Sequence, residues 1–187
     1  MNPIKKIMPR LRHNKEGSVL VEIALSIPIF LGLLTGMVEV GSYLLLHMKM
    51  QHTVVAIADL VTRDETINEA TMTDIFQAVP QVMAPYNKSA DTLMMVSSIS
   101  QLEDEQPTIF WQRSGGGTLS AASGYGEEGD TATLPADITM RDDETVLVTE
   151  IFYRYEPLVF RFLPNQTLKR TAFFRPRIGA LQQIDED

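Results

Sequence analysis

The residue most in need of explanation is Glu22, which lies in a stretch that is almost wholly apolar from Val19 to Leu46. A carboxylate inside a membrane helix costs about 2–3 kcal/mol or more at the centre and less near the interface. Such a group calls for a cation. Were the chain cut between Gly17 and Ser18, the freed α-amino group of Ser18, with an ordinary pKa of about 8, would be mostly cationic near neutrality. It would lie one helical turn from Glu22 of its own chain, or within reach of Glu22 on a neighbouring subunit. Pairing of this kind offsets the desolvation cost and sets the axial register between packed helices.

Other groups that could do chemistry read as solvated surface. Glu127, Glu128 and Asp130 lack the spacing of an EF-hand loop, and Asp142, Asp143 and Glu144 form a charged turn ahead of a strand. His13 belongs to the basic N-terminal stretch. His47 and His52 are not stacked on one helical face, so they make no metal set, although Met48 and Met50 beside them are soft enough for copper. The glycine-rich run Ser114–Asp130 is not followed by Gly-Lys-Ser/Thr and so is no phosphate cradle. No Gly-x-Ser-x-Gly elbow occurs, and the absence of cysteine excludes disulfides, thiol catalysis and cysteine-ligated metals. The sequence therefore predicts no enzyme, no metal and no cofactor.

The element that carries Glu22 is a long apolar helix. Val19–Leu46 contains two charges, Glu22 and Glu39, and as a helix extends about 42 Å. A bilayer core needs roughly 20 residues, and the run is apolar on every side instead of along one stripe. The first seventeen residues hold five basic groups against one acid, and the rest of the chain is acidic, within a net charge of −8. The positive-inside rule then keeps the N-terminus cytoplasmic and exports the remainder. The apolar run is too long for a cleaved secretory signal, and no Ala-x-Ala site follows it. Gly32 and Gly36 would let another helix approach closely, Pro28 would kink the span, and Glu39 falls near the outer interface, where it reads as a solvated carboxylate. A plain signal anchor remains the competing account of the segment.

The residues Glu16-Gly17-Ser18-Val19-Leu20-Val21-Glu22, followed by Ala24-Leu25, Pro28 and a leucine-rich run, resemble a class III prepilin signal. Taken with Val146–Tyr155, Glu156-Pro157-Leu158 and Arg170–Arg177 near the other end, the chain is most similar to TadE/TadF-like minor pilins, or pseudopilins, of tight-adherence (Flp) pilus systems. The stretch from about residue 64 to residue 140 carries none of the likeness. The resemblance implies cleavage by a prepilin peptidase between Gly17 and Ser18, and a role for Glu22 in assembly. It further implies, as partners, other pilin and pseudopilin subunits, the inner-membrane assembly platform and the lipid bilayer, and no nucleic acid. Ile23 stands where major Flp pilins usually have tyrosine, which favours an accessory subunit. The alternative function is a signal-anchored periplasmic enzyme or ligand-binding domain. A scaffold protein of the same pilus locus is a third.

Beyond the span, Met50, Val54, Ile57 and Val61 recur at helical spacing, with Val55, Ala58 and Leu60 beside them and Gln51, Asp59 and Thr62 off the stripe. One helix from about Ser18 to Thr62 is expected. A second is expected over Glu69–Met83, burying Ile75, Phe76, Val79 and Met83, with Pro80 able to shorten or kink it. Strands are expected at Leu93–Leu102, Thr108–Arg113 and Thr145–Tyr155, with a further hairpin of Leu158–Phe162 and Thr167–Phe174 around Pro164-Asn165. Ser114–Asp130 should be a mobile surface loop. Of the aromatic residues Phe152, Tyr153, Tyr155, Phe160, Phe162, Phe173 and Phe174, alternate members should face a core and the others should be free for a partner. The fold class is α+β and pilin-like: a long N-terminal transmembrane helix forms a spine against a small antiparallel sheet. The organisation is a cytoplasmic leader at 1–17, the span and its exported amphipathic extension at 18–62, and a periplasmic domain at 63–187.

Overall fold

The computed structural model describes residues 17–63, 65–157 and 163–185. The basic stretch at 1–16 and the expected strand at 158–162 lie outside them.

Helix α1 runs unbroken over Ser18–Val61, about 66 Å of helix. Its two halves differ. From Val19 to Val38 no residue is buried, and this part is long and apolar enough to be a candidate membrane span. From Glu39 onward a stripe is buried: Glu39, Leu46, Met50, Val54, Ile57 and Val61, with Tyr43 partly covered in the same row. The four-three alternation places one face of the helix against the domain. Thr62, expected off the stripe, is buried and donates its hydroxyl hydrogen to the Ala58 carbonyl at 2.8 Å. That bond satisfies the hydroxyl and lets it enter the core.

Helix α2, Glu69–Met83, begins where Asn68 accepts a hydrogen bond from the Thr71 amide at 2.8 Å, the usual side-chain cap. It buries Met72, Phe76, Val79 and Met83 against α1 and the sheet, and Pro80 does not shorten it. The sheet comprises β1 Thr92–Gln101, β2 Thr108–Gly115, β3 Glu144–Tyr155 and β4 Gln166–Phe174, in the order β2-β1-β3-β4 with every neighbouring pair antiparallel. β4 pairs along its whole length with β3, from Leu147 opposite Phe174 to Tyr155 opposite Gln166. β3 is thus the described partner of β4, while the Leu158–Phe162 half of the hairpin expected around Pro164-Asn165 falls outside the described residues.

The glycine-rich connection corrects a second expectation. Instead of standing off in solvent, residues 116–143 lie across the face of the sheet remote from α1. Leu119 packs with Leu93, Met95 and Phe152, while Tyr125, Ala132, Leu134 and Met140 cover Ile99, Ile109, Val146 and Val148. The glycines serve close approach more than freedom. At Gly117 a side chain would collide with the Thr92 carbonyl, because the Leu119 amide donates to that oxygen at 3.1 Å. Both faces of the sheet are therefore covered, and alternation along β3 buries Phe152 on one face and Tyr153 and Tyr155 on the other. Phe173 and Phe174 are half-buried, and Phe160 and Phe162 fall outside the described residues.

The C-terminal segment closes the helix side. The Leu181 carbonyl accepts from Ser98 Oγ at 2.8 Å and from Trp111 Nε1 at 2.9 Å. Arg177 meets Asp59 of α1 at 2.6 Å, which ties the tail to the spine.

Candidate assembly site on the long helix

Gly17 is the residue before the first turn of α1, with φ −78° and ψ −14° and no side-chain cap, and Ser18 is the first helical residue. Both are exposed. Glu22 follows one turn later on the exposed part of the helix and has no hydrogen bond or ion pair among the described residues. Ser18 and Glu22 therefore share one helical neighbourhood, as adjacent turns must. Gly32 and Gly36 lie further along the uncovered half, and a side chain added at either would meet nothing within 4 Å. Among the described residues nothing closes on these glycines.

The second carboxylate of the helix departs from expectation. Glu39 is fully buried, and Tyr155 at the end of β3 donates its hydroxyl hydrogen to Glu39 Oε1 at 2.6 Å. Burial, then the hydrogen bond to Glu39, raises the Tyr155 phenol well above the ordinary tyrosine range, so it remains a donor. Tyr43 packs edge-on against Tyr155 at 5.0 Å and against His47 at 4.4 Å. Arg170 of β4 donates to His47 Nδ1 at 2.7 Å. A guanidinium has no acceptor, so this bond leaves His47 neutral with its proton on Nε2. The carboxylate, the two tyrosines and the histidine–arginine pair bind the base of the domain to the helix just past its uncovered half. Composition hid this cluster, since a lone glutamate near an interface reads as solvated. The signal was the spacing, because Glu39 and Tyr43 extend the Met50–Val61 stripe backwards.

A second buried carboxylate lies on the opposite face of the sheet. Glu150 is fully buried and meets Lys169 Nζ at 2.5 Å, Ser123 Oγ at 2.5 Å and the Gly124 amide at 3.2 Å. Lys169 also lies 4.8 Å from the centre of the Tyr125 ring. This group pins the crossing connection to β3 and β4. His52 is exposed and apart from His47's partners. Among the described residues no three His, Cys, Asp or Glu side chains are grouped to hold a metal ion.

An uncovered apolar half-helix opens on Gly17-Ser18 with a carboxylate one turn in, and continues into a domain-bearing half. Residues 17–59 match the TadE family, TadE-like protein. The match starts at the glycine before the helix and ends at Asp59, so it takes in Ser18, Glu22, Gly32, Gly36 and Glu39. The TadE-like segment is therefore α1 almost entire, and the sheet with its crossing connection lies outside the match. No curated protein and no solved structure matches the chain.

Proposed function

We propose that this chain is a minor pilin, or pseudopilin, that takes part in assembling a tight-adherence (Flp) pilus. In this reading Val19–Val38 spans the inner membrane with the N-terminus cytoplasmic, and residues 63–187 form a periplasmic domain carried on the outer half of α1. A prepilin peptidase removes the leader between Gly17 and Ser18. Glu22 then pairs with the new amine of its own chain or of a neighbour, while Gly32 and Gly36 admit a partner helix from another pilin or the assembly platform. The work is done by packing and pairing, and no substrate is turned over.

The observation that supports this reading most is the division of one continuous helix. Its first half is an uncovered, predominantly apolar run of about 20 residues, roughly the thickness of a bilayer core, and carries Glu22 without a partner among the described residues. Its second half is fastened to a folded domain. A soluble helix would have no use for the first half.

Replacing Glu22 with alanine tests the reading in cells that make the pilus. The variant should remain in the carbonate-resistant membrane fraction, since removing a charge from the span favours insertion, yet pili should be lost. Normal piliation would remove the proposed role of Glu22.

A further inference from the structure

Where the uncovered half of α1 meets the domain, a cavity of about 290 Å³ opens between Ser42, the turn at Pro85 and Tyr86, and the end of β3. Its depth follows from the helix. If the bilayer core ends near Val38, Ser42 lies about 6 Å further out, within the headgroup layer of about 5–7 Å that flanks the core on each side. The Tyr86 hydroxyl donates to the Ser42 carbonyl at 2.7 Å, which fixes the cavity wall to the helix at that level. Tyr153 and Tyr155 also line it.

The rim carries both signs of charge. Lys88 and Arg154 supply cations, and Asp91 and Glu156 supply carboxylates. Arg154 Nη1 stands 3.8 Å from Asp91 Oδ1, beyond hydrogen-bond range, so both keep hydrogen-bonding capacity. Lys88 is exposed and has no ion pair among the described residues.

We propose that this cavity receives the headgroup of an outer-leaflet phospholipid with a primary ammonium, the phosphatidylethanolamine class. The phosphate takes Lys88 and Arg154, and the ammonium takes Asp91 and Glu156. A choline headgroup has no N–H to give the carboxylates, and a glycerol headgroup brings no cation to them. Occupancy fixes the depth and tilt at which the domain sits on the membrane. The proposal rests on the reading of Val19–Val38 as a membrane span.

The full-length chain in nanodiscs of phosphatidylethanolamine, phosphatidylglycerol and phosphatidylcholine in equal parts, released and weighed by native mass spectrometry, tests it. One phosphatidylethanolamine should be retained per chain, enriched about tenfold over phosphatidylcholine, as expected when charge-assisted hydrogen bonds are available to one headgroup only. Lys88→Glu and, separately, Glu156→Lys change exposed residues and should abolish the enrichment without altering the circular dichroism spectrum. Equal retention of the three lipids, preference for phosphatidylglycerol, or unchanged enrichment in both variants would overturn the proposal. Displacement of the lipid by an equal concentration of free phosphoethanolamine would overturn its assignment to a lipid. Carbonate extraction separates the underlying reading: a chain that stays in the membrane while losing selectivity refutes the cavity alone, and a chain that is extracted refutes the span and the cavity with it.

Discussion

Glu39 and Tyr155 are 116 positions apart in the chain and 2.6 Å apart in space, with the tyrosine hydroxyl donating to the carboxylate. The bond joins the first turn after the uncovered half of α1 to the end of the central strand β3. Any tilt of the domain on its stalk must strain it. Tyr155→Phe removes this donor from a fully buried carboxylate, and the expected cost is about 1–3 kcal/mol. Denaturant unfolding of the domain in detergent micelles measures it. Unchanged stability would mean that the contact does not fasten the domain.

Alkaline pH should loosen the same region. The Tyr153 phenol is pushed up to about 12 by burial, then by the nearby Asp91 charge, against about 10 for an unfolded tyrosine. Its folded-state pKa is raised, so the unfolded chain binds fewer protons above pH 10. The stability contribution is complete below about 10 and is lost as pH rises toward about 12. Ultraviolet titration of tyrosinate in the folded protein should show late-titrating phenols among the five tyrosines. Tyr153→Phe should remove one of them and flatten the alkaline fall in stability.

On the opposite face, Lys169→Ala leaves Glu150 buried without its cation. Breaking a buried pair from one side costs about 3–5 kcal/mol, and the partial exposure of Lys169 puts the expectation at the lower end. Because Ser123 and Gly124 hang on the same carboxylate, the connection 116–143 should become the first site of limited proteolysis. Adding Glu150→Gln to Lys169→Ala should recover part of the loss, since the remaining group is then neutral.

Gly32→Leu and Gly36→Leu separate folding from assembly. A side-chain carbon added at either glycine meets nothing within 4 Å among the described residues, so the unfolding midpoint of the domain should not move. Co-purification with other pilus subunits from membranes should fall, because the added bulk blocks close helix approach. Undiminished co-purification would place the helix contact elsewhere.

The helices and strands were legible because their periodicities are strong. The helix expected at about Glu69 to Met83 forms there, and Met50, Val54, Ile57 and Val61 all face the core. Glu39 was misread since a carboxylate weighs against burial, and only a partner distant in sequence, Tyr155, reverses that. The connection after β2 was misread for a related reason. Six glycines suggest freedom, but Gly117 is there to let the backbone pass the Thr92 carbonyl, and Leu119 and Tyr125 supply the apolar contacts that hold the segment down. Gly17-Ser18 and Glu22 lie on adjacent turns of one helix, as their spacing alone requires, and no described residue buries them.

The mass of the mature N-terminus, taken from cells that contain the prepilin peptidase, bears most directly on the account. Processing between Gly17 and Ser18 predicts a chain that begins at Ser18 and carries a free amine one turn from Glu22. A chain that retains Met1 and the basic leader would contradict it, leaving a tethered domain with an unexplained carboxylate in its anchor.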